Sequence, residues 1–232
     1  GHSPPVGGDL WRFALVGAIA PGSSQGLFVA SIGAIGPSRA SVLVGTSPVF
    51  SVLLAIVFLD EGWRWAIVVG TLLTVVGGAL ISWEPGSIAR RVGIAFALIT
   101  AFTFGLRDVV ARQFGSDSSV SSWWAGALVL GTAAVVLIAM VVIRDGTDTI
   151  TRARSCLPEF AASGLAIGVA LPVLLEALDR GEVGVVAPLS LAAQNITVLA
   201  LGAVVFGRQE RTPRVVMALL LVLLGATLIM AT

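Results

Sequence analysis

Long apolar runs separated by short charged turns dominate this sequence. Hydrophobic residues make up 56% of the 232 residues, and charged residues make up only 12%. A soluble domain needs a charged surface, and charged residues account for about 25% of a typical one. The composition therefore predicts that lipid surrounds most of the chain, as in a helical membrane protein with several spans.

Eight apolar runs have a length suited to crossing a bilayer as helices. Such a helix needs about 20 apolar residues to cross the hydrocarbon core. The turns between the runs are short and leave no room for a soluble domain. The sequence thus predicts an all-α polytopic membrane protein with spans at Trp11–Ile35, Ala40–Leu59, Trp65–Trp83, Val92–Phe114, Trp123–Ile143, Phe160–Leu178, Val183–Phe206 and Val215–Met230.

The tryptophans lie at or just outside the ends of these predicted spans. Indole rings favour the boundary between lipid and water, whereas tryptophans of an ordinary core would be scattered along the spans. Their placement therefore supports the predicted spans. The six residues are Trp11, Trp63, Trp65, Trp83, Trp123 and Trp124.

Residue types that hold metals or form disulfides are scarce in this chain. Cys156 is the single cysteine, and His2, in the Gly- and Pro-rich start, is the single histidine. This excludes a disulfide framework and a cysteine-based metal cluster within the chain. We expect no metal, no cofactor and no nucleic-acid partner.

Two parts of the sequence resemble each other. Residues 36–81 and 184–229 share identical positions, including Gly77 and Gly225, and follow the same order of elements. In each part a span, a tight turn, a second span, a charged turn with a glutamate and a glycine-containing span follow one another. The order predicts an internal repeat, with residues 1–84 in the first copy and 85–232 in the second.

The second copy carries two spans, Val92–Phe114 and Trp123–Ile143, that have no counterpart in the first. We therefore expect the chain to be a processed or truncated piece, with two helices missing before Gly1. Five helices per copy is an odd number, so successive copies enter the membrane in opposite directions. Such inverted repeats are typical of carriers, which bind their substrate near the midplane between the copies.

The sequence also resembles a known family. The run SVLVGTSPVFSVLLAIVFLDEGWRWAIVVGTLLTVVGGALISW resembles the end of a repeat of the EamA family, which belongs to the drug/metabolite transporter superfamily. The matching features are Pro48, Glu61 thirteen residues later, and the glycines Gly70, Gly77 and Gly78. The stretch VGIAFALITAFTFGLRDVVARQF resembles the start of a second such repeat, and VVAPLSLAAQNITVLALGAVVFGRQE resembles its fourth helix.

The resemblance implies a secondary carrier in a bacterial cytoplasmic membrane. Such a protein exports a small organic metabolite, amino acid-like or drug-like, by alternating access. Its partners would be the small-molecule substrate, the lipid bilayer and a proton or counter-solute. The superfamily also allows an alternative, a lipid-intermediate flippase or flippase subunit. A multipass membrane enzyme would need histidine clusters or paired aspartates at the interface, so we expect no enzyme.

Polar residues inside the predicted spans are the candidate solute-binding residues, because polar groups at membrane depth need a cavity or a partner. Ser190, Gln194 and Thr197 follow one another at i, i+4 and i+7 and share a helix face, with Asn195 beside them. We predict that this stripe faces inward. It either lines the cavity or forms hydrogen bonds between helices.

Prolines inside the spans mark candidate helix breaks. Pro21 lies halfway along the first span, close to Gln25, and Pro172 lies at a similar depth of the repeat-related span. Proline removes a backbone donor, so carbonyls freed there would either face a solute or belong to an ordinary kink. Pro48, next to Ser47, is the third candidate, where close helix packing is the alternative to solute binding.

Three charged positions complete the prediction. Arg107 lies about two turns inside the end of its span, where it would either snorkel to the interface or bind an anionic group of the substrate. Glu176 lies near another span end and is the candidate for proton coupling, with a solvated interface carboxylate as the alternative. Glu61 belongs to a turn and is expected to be a helix cap or a hinge.

Overall fold

The structure, a computed structural model, describes residues 10–82, 91–116, 118, 120–146, 157–205 and 213–231. These residues form helices joined by short turns, without a strand among them. The helices are α1 (Leu10–Gly17), α2 (Ser24–Ile35), α3 (Pro37–Val44), α4 (Ser47–Phe58), α5 (Trp65–Ser82), α6 (Arg91–Ser116), α7 (Ser122–Asp145), α8 (Leu157–Arg180), α9 (Val183–Val205) and α10 (Pro213–Met230). A π-helical segment, Ala18–Ser23, joins α1 to α2.

Within the described residues, four helical stretches are long and apolar enough to cross a membrane: Leu10–Ile35, Ala40–Phe58, Arg91–Ser116 and Ser122–Arg144. Their ends lie within two residues of the predicted spans. Trp65–Gly77, Val183–Gln194 and Leu220–Met230 are shorter apolar helices, and the predicted span Phe160–Leu178 lies in α8. The all-α polytopic membrane class predicted from the sequence is confirmed.

The tryptophans that the structure describes are exposed, as expected of side chains at a lipid boundary. Large exposed apolar side chains also cover α7, which is the arrangement that a lipid-facing helix requires. Trp83 lies outside the described residues. The exposed tryptophans are Trp11, Trp63, Trp65, Trp123 and Trp124.

The first span is interrupted halfway along its length. Ala20 has φ −147° and ψ 118°, which is extended rather than helical backbone. Pro21 follows directly and has no backbone N–H with which to continue the helical ladder. Ser23 Oγ donates a hydrogen bond of 2.9 Å to the carbonyl of Ile19 and so satisfies an acceptor near this interruption.

The other two predicted breaks differ from each other. Pro48 is in the first turn of α4, where proline is well tolerated, and a turn before it separates α3 from α4. Pro172 lies inside α8, and the helix is not interrupted there as the first span is at Pro21. The ring of Pro172 packs against Gly126, where an added Cβ would lie 2.6 Å from the proline Cγ. The ring therefore fits against a position that has no side chain.

The helices group into two compact units that each combine distant stretches of sequence. Unit 1 contains Gly1–Gly26 and Val110–Arg180, and unit 2 contains Leu27–Val109 and Gly181–Thr232. The predicted repeats are stretches of sequence, whereas these units are groups of packed helices, and each unit draws on both predicted copies. The division into repeats at residue 84 stays a prediction.

In unit 1, small residues let the first span approach α7 closely. Gly17 lies against the backbone of Val129, and a Cβ added at Gly26 would lie 2.7 Å from Met140 Cε. Backbone approach of this kind is how helices associate in lipid, where burial of apolar surface supplies no driving force between them.

In unit 2, a stripe of small residues on α6 plays the same role. Gly93, Ala97, Ala101 and Gly105 recur every four residues, so they share one face of the helix. All four are buried. A Cβ added at Gly105 would lie 2.8 Å from the backbone nitrogen of Ser51, so this face of α6 meets α4 almost backbone to backbone.

Candidate functional site

The polar group of interest in unit 2 is a buried ion pair on α6. Arg107 Nη2 lies 2.7 Å from Asp108 Oδ1, and its Nε lies 3.1 Å from the same oxygen. The side chains of Arg107 and Asp108 are only 16% and 8% exposed. Adjacent helix positions point about 100° apart, so the long arginine side chain must bend towards its neighbour to form this pair. Whether Arg107 binds a solute or snorkels to the interface stays a prediction.

A serine of α4 completes the group. Ser51 Oγ lies 2.9 Å from Asp108 Oδ2 and 3.2 Å from the carbonyl of Ser47. The small-residue stripe of α6 explains this contact, because Gly105 admits the backbone of α4 and Asp108 follows one turn later on the same face. We call Ser51, Arg107 and Asp108 the inner cluster. It includes one predicted site residue, Arg107, and contacts a second, Ser47.

Aromatic rings border the inner cluster. Arg107 Cζ lies 5.3 Å from the ring centre of Phe104, within the range of a cation–π interaction. Phe50, next to Ser51 in the chain, forms an edge-to-face pair with Phe102 at 5.8 Å. The guanidinium of Arg107 thus lies beside the ring of Phe104.

The electrostatics of this arrangement distinguish it from a structural salt bridge. A single charge inside a membrane span costs at least about 2.5–3.5 kcal/mol on insertion scales, so such residues occur where they serve a function. A buried ion pair adds little net stability over apolar side chains of similar volume. This pair joins two neighbouring residues of one helix, so the bond between the two charges connects no separate elements.

The predicted polar stripe of α9 has a different environment. Ser190, Gln194 and Thr197 are exposed on the surface of unit 2. The hydroxyl of Ser190 donates to the carbonyl of Ala187, and that of Thr197 donates to a carbonyl of its own helix, both at 2.8 Å. Whether this stripe lines a cavity or forms hydrogen bonds between helices stays a prediction. The side chain of Asn195 lies outside the described residues.

Two of the predicted site residues, Gln25 and Glu176, lie in unit 1. Gln25 is half-buried on α2, close to the interruption at Pro21. Glu176 accepts a hydrogen bond of 2.5 Å from Ser122 Oγ and forms an ion pair with Arg180 one turn later on α8. Glu176 therefore has partners on two helices, and its role in proton coupling stays a prediction.

A second polar contact in unit 2 holds the start of α9. Glu61 Oε1 accepts a bond of 2.6 Å from the backbone N–H of Val183, and Oε2 accepts one of 2.8 Å from that of Gly184. These amides belong to the first turn of a helix, where a carboxylate also interacts favourably with the helix dipole. The expectation that Glu61 is a helix cap is confirmed.

The same turn carries an ion pair at the protein surface. Arg64 Nη2 lies 2.5 Å and 2.6 Å from the two carboxylate oxygens of Glu182. A pocket beside Glu61 and Arg64 encloses a volume of only about 10 Å³. Pockets for small organic ligands are usually about 300–1,000 Å³, so we do not place a solute there. Among the described residues, no group of three His, Cys, Asp or Glu is arranged to hold a metal ion.

Sequence reasoning identified Arg107 but missed its pair with Asp108 and the contact of Asp108 with Ser51. Ser51 is 57 residues away from Asp108 in the chain. One signal was present in the sequence. The four-residue spacing of Gly93, Ala97, Ala101 and Gly105 marks the buried face of α6, and Asp108 continues that face.

Known proteins resemble this chain in sequence and in fold. A probable terminal-alkyne amino-acid exporter of Streptantibioticus cattleyicolor is 33% identical over 132 residues, which cover 54% of this chain and 44% of that protein. The matched region thus spans less than half of the relative. A solved crystal structure superposes with a TM-score of 0.75 at 20% identity, over 94% of this chain and 75% of the other. At this identity the likeness shows the fold alone.

The family comparison covers nearly the whole sequence. The sequence pattern of the EamA-like transporter family matches residues 1–83 and 91–231. The apolar helices agree with a protein embedded in a membrane. The family resemblance seen in the sequence is therefore confirmed, and this chain belongs to the EamA-like transporter family.

Proposed function

We propose that this chain acts as a secondary carrier that exports a small organic solute of amino-acid type, with the inner cluster at the solute site. Family membership supports transport, and the name of the Streptantibioticus cattleyicolor relative supports amino acids as the solute class. A bacterial cytoplasmic membrane is the proposed location, since that relative is bacterial.

The observation that carries the proposal is the buried pair of Arg107 and Asp108. Two opposite charges sit within an apolar helix and less than a fifth of either side chain is exposed. A pair of this kind adds little to stability, so a role in solute binding gives the better account of it. Ser51 adds a hydroxyl, and Phe104 adds an apolar face.

Transport would follow the inverted-repeat plan. The two copies would rock against each other and expose a site near the midplane alternately to the two sides of the membrane. A proton or a counter-solute would supply the energy. The interruption at Ala20 and Pro21 gives the first span a point at which its two parts, α1 and α2, can change their relative angle.

Untargeted metabolite profiling of cytosol and medium tests this proposal. Cells would express the full-length protein or its double variant Arg107→Gln/Asp108→Asn, which keeps the cluster neutral but removes both charges. We expect the natural protein to deplete one class of amino- and carboxyl-bearing solutes inside the cell and to enrich it outside. The double variant should abolish this redistribution at equal expression.

Each other outcome removes a specific part of the proposal. Equal redistribution by the double variant would contradict the inner cluster as the solute site. Absence of any redistribution by the well-expressed natural protein would contradict export. A change in lipid intermediates rather than in soluble metabolites would favour the flippase alternative.

A further inference from the structure

We infer that Arg107 and Asp108 together recognise the two charges of a zwitterion, with the solute carboxylate on Arg107 and the solute ammonium on Asp108. This inference rests on the proposed function, because it names the substrate class of the same site. It predicts that solutes with only one of the two charges are rejected, although their apolar part is identical.

The net charge of the site is the first argument. Arg107 and Asp108 contribute one positive and one negative charge, and Ser51 is neutral. In a medium of low dielectric constant an uncompensated charge is far more costly than in water. A zwitterion leaves the loaded site neutral, whereas an amine or a carboxylic acid alone would add a net charge beside the rings of Phe50 and Phe104.

The geometry of the arginine is the second argument. Both bonds from Arg107 converge on a single oxygen, Asp108 Oδ1, at 2.7 Å and 3.1 Å. The pair therefore lacks the two parallel N–H···O bonds in which a guanidinium binds a carboxylate most strongly. The edge formed by Nη1 and Nη2 keeps further donors, and none of the described residues accepts a hydrogen bond from Nη1. A solute carboxylate can bind this edge in the parallel manner.

The geometry of the aspartate is the third argument. Ser51 Oγ contacts Asp108 Oδ2 at 2.9 Å, on the side away from the bonds to Arg107. A carboxylate oxygen has two acceptor positions, so Oδ2 can accept a second hydrogen bond. When Arg107 turns to the carboxylate of the solute, Asp108 loses its positively charged partner. The ammonium of the solute then replaces Arg107 as a charged hydrogen-bond donor to Asp108. Ser51 would hold the carboxylate in place during this exchange.

The surrounding rings indicate the rest of the solute. Arg107 Cζ lies 5.3 Å from the ring centre of Phe104, and Phe50, next to Ser51 in the chain, forms a pair with Phe102 at 5.8 Å. A polar side chain of the solute would lose its hydration there without gaining a partner, which is costly. The preferred solute is therefore an α-amino acid with an apolar side chain.

Binding of a matched ligand series to the purified full-length protein tests the inference. Leucine is the zwitterion, isoamylamine is the same molecule without its carboxylate, and isocaproate is the analogue without its ammonium. Ligand-induced stabilisation against thermal unfolding at neutral pH gives the three affinities. We expect leucine to bind at least about tenfold more tightly than either analogue, because a site built to bind both groups rejects ligands that lack one.

Variants make the test specific for charge. With Asp108→Asn the site carries one positive charge, so the preference should move to isocaproate, and with Arg107→Gln it should move to isoamylamine. If either single variant fails to fold, the neutral double variant Arg107→Gln/Asp108→Asn decides. It should lose the preference for leucine, whereas the control Arg64→Gln/Glu182→Gln should keep it.

Three results would overturn the inference: an analogue that equals leucine on the natural protein, a preference that survives in the double variant, or no binding of any member of the series. These results are distinguishable from failure of the proposed function. Export of a solute in the profiling experiment without a zwitterion preference would remove this inference alone. Absence of export would remove the function itself.

Discussion

Two arginine–carboxylate pairs among the described residues of unit 2 have opposite characters. Arg107 and Asp108 are adjacent in one helix and almost fully buried, with side chains 16% and 8% exposed. Arg64 and Glu182 are 118 residues apart in the chain and lie at the surface, with side chains 35% and 42% exposed. We call them the inner and the outer pair. The outer pair connects two distant segments at little cost in desolvation.

The contrast teaches which pair is structural. A surface pair is stabilising by only about 0–1 kcal/mol, but the outer pair links the turn after α4 to the start of α9. The inner pair connects neighbours that the backbone already connects, and its burial is costly. Apolar side chains in place of the inner pair would therefore stabilise the fold at least as well. Its presence is best accounted for by function.

The largest expected effect is that of breaking the inner pair on one side only. Asp108→Asn leaves Arg107 as an uncompensated buried charge, which should lower the free energy of unfolding by about 3–5 kcal/mol. The double variant Arg107→Gln/Asp108→Asn should be much closer to the natural protein. Thermal unfolding in detergent micelles measures both, and a double variant as unstable as the single one would show that the pair is structural.

The hydroxyl of Ser51 should have the next largest effect. Ser51→Ala removes a partner of a buried carboxylate and should destabilise the protein by about 1–3 kcal/mol. Ser31 is the matched control, because it is equally buried but its hydroxyl bonds to the carbonyl of Phe28 in its own helix. Equal losses of unfolding free energy for Ser51→Ala and Ser31→Ala would contradict a special role for the contact with Asp108.

The cap on α9 should contribute somewhat less. Glu61→Ala leaves two first-turn amides without their acceptor and should cost about 0.5–2 kcal/mol, as for other helix caps. The neighbouring Asp60→Asn is the control, since asparagine tolerates the positive φ of 53° at this position. Hydrogen exchange should quicken at Val183 and Gly184 only with Glu61→Ala. Unchanged exchange there would show that the amides are held by other means.

The smallest effect belongs to the outer pair. Arg64→Gln should lower the free energy of unfolding by at most about 1 kcal/mol, and the difference should vanish in about 1 M salt, where the screening length is about 3 Å. Unfolding of the natural protein and the variant at low and high salt measures this. A loss of unfolding free energy that persists at high salt would contradict this account, because the outer pair would then behave like a buried pair that salt does not screen.

Much of the fold could be predicted because lipid imposes strict rules on sequence. A membrane helix must be largely apolar, so runs such as Trp123–Ile143 reveal their helices directly. The tryptophan positions follow from the same solvent. The capping role of Glu61 was also accessible, because an acidic residue in a turn between helices is well placed to meet a helix start.

The rest depends on packing between distant residues. The ring of Pro172 in α8 lies against Gly126 of α7, and no local sequence pattern predicts this contact. The partnership of Asp108 with Ser51 requires α4 to approach α6 at Gly105. The exposure of Gln194 depends on which helices surround α9. Periodicity shows which residues share a face, but not which neighbour that face meets.

Counterflow in proteoliposomes tests the central claim most directly. Vesicles containing the full-length protein would be loaded with unlabelled leucine, and uptake of labelled leucine would be followed for the natural protein and two double variants. We predict exchange by the natural protein and by Arg64→Gln/Glu182→Gln, and loss of exchange with Arg107→Gln/Asp108→Asn. Exchange by the inner-pair variant at the natural rate would contradict the account, because the solute would then bind elsewhere.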